Sequence, residues 1–101
     1  MKIFISGPIS GVADYRERFG DAERGLESKG HIVLNPTKMI PEKLEWDDAM
    51  KICEPAVQIS DAIFQLPGWE MSAGALRERS VALIARKQVY DSLDEVPEAE
   101  T

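Results

Sequence analysis

The chain is short of the residues that build metal centres and disulfides. Cys53 and His31 are each the only one of their kind in 101 residues. A single cysteine forms no internal disulfide, which points to a reducing compartment, with the cytoplasm as the default. No second Cys or His stands beside either residue, so no metal site is expected. Long hydrophobic runs are missing as well. Met1-Lys2-Ile3-Phe4-Ile5 reaches Ser6-Gly7-Pro8 after three apolar residues, too few for the core of a signal peptide. Nothing approaches the length of a membrane span. Basic charge is not in excess either: 12 Lys and Arg stand against 18 Asp and Glu, a net charge of −6. That is the wrong sign for a surface that displaces counterions from nucleic acid. Neither nucleic acid nor a membrane is expected as a partner. A small polar molecule or another protein is.

What is present fits one domain: 44% apolar and 30% charged residues, with no internal repeat. Ile3-Phe4-Ile5, His31 to Leu34, Ala62 to Leu66 and Gln88-Val89-Tyr90 read as short buried strands. Between them lie helical stretches. The first runs from about Asp14 to Lys29, with Asp14 and Glu17 spaced as a capping box and Gly30 as the stop. Tyr15, Phe19, Ala22 and Leu26 form its apolar stripe. The second begins near Glu45, buries Trp46, Met50, Cys53 and Val57, and meets Pro55, which predicts a kink or a break. The third follows the turn Leu66-Pro67-Gly68-Trp69, with Ser72 as its N-cap.

Strand and helix alternate throughout, which predicts a three-layer α/β fold. The expected sheet is doubly wound and parallel, with about four strands in the order 2-1-3-4, flavodoxin- or Rossmann-like. Residues 1–90 make up this domain. Residues 91–101 carry five acids and no basic residue, and are expected to be a frayed tail or a docking arm.

Glu78 stands out within the third helix. At 100° per residue it falls on one arc with Ala75, Val81, Ala82 and Ala85, the only carboxylate on a small-residue apolar face. It lies near the carboxyl ends of the strands, where such folds place chemistry. The plainer reading is a helix Glu answering the dipole, screened by Arg77 and Arg79. The loop Gly7-Pro8-Ile9-Ser10-Gly11 admits two readings too: backbone N–H groups close to a ligand, or an ordinary strand-to-helix turn. It matches neither G-x-G-x-x-G nor a phosphate-binding loop. Cys53 reads as a small core residue and His31 as structural.

Lys2-Ile3-Phe4-Ile5-Ser6-Gly7-Pro8, Tyr15 with Phe19, Asn35-Pro36, and Ser72-Ala73-Gly74-Ala75-Leu76-Arg77-Glu78 resemble the nucleoside 2-deoxyribosyltransferase family. That family includes the 2′-deoxynucleoside 5′-monophosphate N-glycosidases, and the likeness runs from residue 2 to about 90. The chain looks most like the family's short members, which keep L-P-G-W-E before the helix. The resemblance implies cleavage or transfer at an N-glycosidic bond without a cofactor. A helix Glu attacks C1′ of the sugar and forms a covalent glycosyl-carboxylate; the matching position is Glu78. Tyr15 is implied as its catalytic partner, and Ser6, Gly7, Pro8, Gly11, Asn35, Trp69, Ser72 and Gly74 as substrate-binding residues. A homo-oligomer is implied, with a neighbouring subunit completing the pocket and Trp46 and Trp69 as candidates for the contact.

One position departs from the family pattern. A second acid is expected eight residues before Asp61, and that position is Cys53, with Glu54 next to it. The alternative is therefore a non-catalytic nucleotide-binding or interaction protein on the same fold. Six residues before Glu78, nucleoside transferases of the family carry Asp and the monophosphate glycosidases carry Ser. Ser72 then implies a 5′-monophosphate substrate, unless it is only an N-cap. A buried Glu also has to stay ionised to act as a nucleophile, and Tyr15, Ser6 and Ser72 are the hydrogen-bond donors available to it.

Overall fold

The apolar run at the start of the chain divides its side chains between two cores. In the computed structural model, which describes residues 1–100, β1 (Lys2–Ser6) turns Ile3 and Ile5 to one face of the sheet and Phe4 to the other. β2 (Ile32–Leu34) and β3 (Ala62–Gln65) flank it, and β4 (Gln88–Tyr90) pairs with β3. All pairings are parallel, in the order β2-β1-β3-β4. The three-layer, doubly wound α/β fold is the one expected. His31 falls just before β2 and is buried there, its ring bonded to the Met1 ammonium and to the Pro97 carbonyl.

α1 (Tyr15–Ser28) closes one face by packing Phe19 and Leu26 on Ile3, Ile5 and Phe64. The expected capping box is not formed. Asp14 has φ −104° and ψ 28° instead of an extended cap conformation, and its carboxylate pairs with Arg18 at 2.9 Å. The loop after β2 carries a short helix that the sequence did not announce, α2 (Pro36–Met39). α3 (Trp46–Ile59) and α4 (Ala73–Ile84) cover the opposite face with smaller side chains: Cys53, Ala56, Val57 and Ala82. α3 runs unbroken through Pro55. Pro55 is on its exposed side, where water can serve the carbonyl that proline leaves unpaired.

Residues 91–100 are not frayed. Val96 is 1% exposed and belongs to the α1 core. Lys29 donates its ammonium to the carbonyls of Leu93 and Val96, and Ala99 donates its N–H to the Lys29 carbonyl. The acidic segment is docked on its own domain. Among the described residues no helix is long and apolar enough to cross a membrane.

Candidate active site

The sheet face under α3 and α4 changes character at its carboxyl end. Phe4 and Ile63 are apolar, but two residues further along the same face come Ser6 and Gln65, paired in register across β1 and β3. Both are fully buried. α4 lies over this polar tip. Ser72 caps it, its hydroxyl accepting the Ala75 N–H at 3.2 Å, and Ala75, Glu78 and Ala82 face inward as the 100° arc predicts. Val81 is half-buried, while Ala85 falls beyond the helix end and is exposed.

Glu78 is therefore no surface residue: 7% of it is exposed. The Ser6 hydroxyl donates to its Oε1 at 2.7 Å. Burial pushes the Glu78 carboxyl up to about 7, and the Ser6 hydrogen bond and the nearby Cys53 thiol pull the other way. Cys53 is itself buried, and burial together with the Glu78 charge pushes its thiol far up, so it stays protonated. Of the donors anticipated for Glu78, Ser6 fills the role; Ser72 is occupied as a cap and Tyr15 is not bonded to the carboxylate. The flanking arginines divide. Arg77 pairs with Glu54 on α3, whereas Arg79 turns inward and donates to Gln65 Oε1 at 2.7 Å.

Glu78 lines a cavity of about 560 Å³ that opens at the carboxyl ends of β1 and β3. Gly7, Pro8, Tyr15, Ser72 and Gly74 share its wall, as does Cys53. The other expected site residues do not. Ser6 lies behind Glu78 and reaches the cavity only through it. Asn35 is buried, N-caps α2 through Thr37, and donates to Glu23. Gly11 has φ +77° and no atom near its missing Cβ, so it serves the turn closed by Val12 and Ile9. Trp69 is half-buried beneath Arg79, whose guanidinium is 4.4 Å from the ring centroid.

The glycines on the wall differ in kind. A Cβ on Gly7 would stand 2.8 Å from Leu66 Cβ, so protein packing alone demands glycine there. A Cβ on Gly74 would meet nothing nearer than 3.5 Å. Packing does not require that glycine, and its absent side chain leaves room beside the start of α4.

Two residues of the site escaped the sequence reading. Arg16, the only basic residue on the wall, bonds the Thr37 carbonyl at 3.0 Å and lies 3.9 Å from Glu42, also on the wall. Its place directly after Tyr15, at the start of α1, was the available signal. Gln65, behind Glu78, was absorbed into an apolar run; a buried amide near the end of a central strand was its signal. Glu54, the other acid considered near Cys53, is held outside the main cavity by Arg77 and lines a smaller one of about 210 Å³. No group of three or more His, Cys, Asp or Glu that could hold a metal occurs among the described residues.

The doubly wound parallel α/β fold is shared with solved enzymes. A CMP N-glycosidase of Clostridium botulinum superposes with a TM-score of 0.62 at 23% identity, covering 88% of this chain and 66% of its own. A 2-deoxyribosyltransferase of the psychrotolerant bacterium Bacillus psychrosaccharolyticus superposes with a TM-score of 0.70 at 20% identity, covering 88% of this chain and 69% of its own. This chain thus spans about two thirds of the length of each, and the likeness establishes a common fold. By sequence, the chain belongs to the family described as Domain of unknown function (DUF4406), which matches over residues 1–91. No curated protein matches it.

Proposed function

We propose that the chain cleaves or transfers at the N-glycosidic bond of a nucleoside or its 5′-monophosphate, through a covalent intermediate on Glu78. The observation that carries this reading is Glu78 itself, a buried carboxylate bonded by Ser6 on the wall of the cavity at the carboxyl ends of β1 and β3. In the proposed reaction, Glu78 attacks C1′ as the bond to the base breaks, and the bonding pair leaves with the base nitrogen. Water or a second base then attacks C1′ and frees the carboxylate. The leaving base takes its proton from solvent, because Cys53 is held as a thiol and Glu54 is tied to Arg77 outside the cavity.

Two features on the wall favour the monophosphate. α4 presents the N–H groups of Ala73 and Gly74 at its start, beside the room that Gly74 leaves. Arg16 puts a guanidinium on the same wall, 3.9 Å from Glu42, and a phosphate could share it. The solved neighbours act on CMP and as a 2-deoxyribosyltransferase, so the test is a panel of ribo- and 2′-deoxynucleosides with their 5′-monophosphates, followed for free base. Release from one of them by the wild type and not by Glu78→Gln supports the reading. A silent panel together with nucleotide binding by calorimetry would favour a non-catalytic binding protein instead.

A homo-oligomer belongs to the same proposal. Leu76, Leu83 and Ile84 are exposed on α4, and Met71 stands 90% exposed at the cavity mouth. A second copy covering this face would bury apolar surface and extend the pocket wall. A monomeric mass at micromolar concentration would remove this part of the reading.

A further inference from the structure

Behind Glu78 the hydrogen bonds run in one direction. Arg79 Nη1 donates to Gln65 Oε1 at 2.7 Å, and Gln65 Nε2 donates to the Ala75 carbonyl at 3.2 Å and, at 3.5 Å, to Ser6 Oγ. Ser6 donates to Glu78 Oε1. The Gln65 amide has one workable orientation, since its oxygen must face a guanidinium and its NH₂ a carbonyl. With an N–H of Gln65 directed at the Ser6 oxygen, the hydroxyl proton is turned toward Glu78. Such a hydroxyl suits an anion better than a neutral acid. Trp69 completes the line by holding the Arg79 guanidinium against its face.

We infer that Gln65 and Arg79 are positioning residues for Glu78: they lock Ser6 as a donor and pass the influence of the guanidinium to the buried carboxylate, which favours its anion. This rests on the proposed role of Glu78 as the nucleophile. Of the other groups facing that carboxylate, the Cys53 thiol alone also favours its anion. From α3 come a protonated thiol, Cys53, and a second negative charge, Glu54, which opposes ionisation. Tyr15 and Arg16 on α1 and Glu42 in the loop between α2 and α3 share the cavity wall and hold no bond to Glu78. On α4 itself, Arg77 is engaged by Glu54. β1 and β3 add no charged side chain beneath it.

The test reads Glu78 directly, by ¹³C NMR of the side-chain carboxyl, assigned with Glu78→Gln, alongside the pH profile of kcat/KM. Arg79→Met, at a half-exposed position, should raise the Glu78 midpoint by on the order of half to one pH unit, as expected for a charge acting through two relays. Gln65→Met should raise it at least as far, and Arg79→Lys should restore most of the wild-type midpoint. The acid limb of kcat/KM should move by the same amount. A folded Arg79→Met whose Glu78 midpoint is unmoved overturns the inference, even if Gln65→Met fails to fold. A shifted midpoint in a protein that releases no base from any substrate keeps the inference about the anion and sinks the proposed reaction.

Discussion

The two faces of the sheet are built to different ends. Under α1 the core is large, apolar and closed: Ile3, Ile5, Phe19, Leu26 and Phe64, sealed at one side by Val96. Under α3 and α4, Phe4, Met50 and Ile63 are mixed with the small Cys53, Ala56 and Ala82, and the layer ends in Ser6, Gln65 and Glu78. Close packing of large side chains is where a small domain gains most of its stability. A buried carboxylate lowers it. One face holds the molecule together, and the other spends part of that margin on a buried carboxylate.

The sharpest way to break this contrast is Glu78→Gln. On the proposed mechanism turnover falls by at least about three orders of magnitude. Stability should move the opposite way. Burial raises the folded carboxyl from an ordinary 4.5 to about 7, so between those values the folded state holds more protons than the unfolded chain. Wild-type stability therefore falls as pH rises through that window and levels off above it, a loss on the order of 3 kcal/mol. Glu78→Gln lacks this loss, and its thermal advantage should be larger at pH 8 than at pH 5. A variant less stable than the wild type at pH 8 would contradict the assignment of cost to this face.

Leu26→Ala probes the other face. It should cost about 2–5 kcal/mol in denaturant unfolding while leaving activity per folded molecule near the wild-type level. Loss of activity without loss of stability would show that the two faces are not separable. A smaller effect is expected from Ser72→Asp. It keeps an N-cap for α4 but sets a carboxylate at the cavity wall, so affinity for a 5′-monophosphate should drop about tenfold or more while that for the nucleoside is retained. Equal losses for both ligands would place the phosphate elsewhere.

Much of the fold was legible because short apolar runs and intervening helical periodicity are local signals. The strand order followed from right-handed crossovers, and Glu78 followed from a single helical arc. What escaped depended on neighbours distant in sequence. Gln65 looked like part of an apolar strand until Arg79, Ala75 and Ser6 were seen around it. Asn35 looked available for substrate until Glu23 and Thr37 claimed it. The acidic end looked like either a frayed tail or a docking arm because Val96 is one apolar residue among charges, and its neighbours include Lys29 reaching across to two carbonyls. Trp69 was drawn toward the site by its sequence position, yet its ring supports Arg79 and leaves the cavity wall to others.

The sheet's outer strands carry a consequence of their own. β2 and β4 are three residues each, against five and four for the strands between them. An edge that short exposes few unpaired backbone groups to the strand of another chain. Edge-to-edge growth, the route by which sheets aggregate, has little to template on.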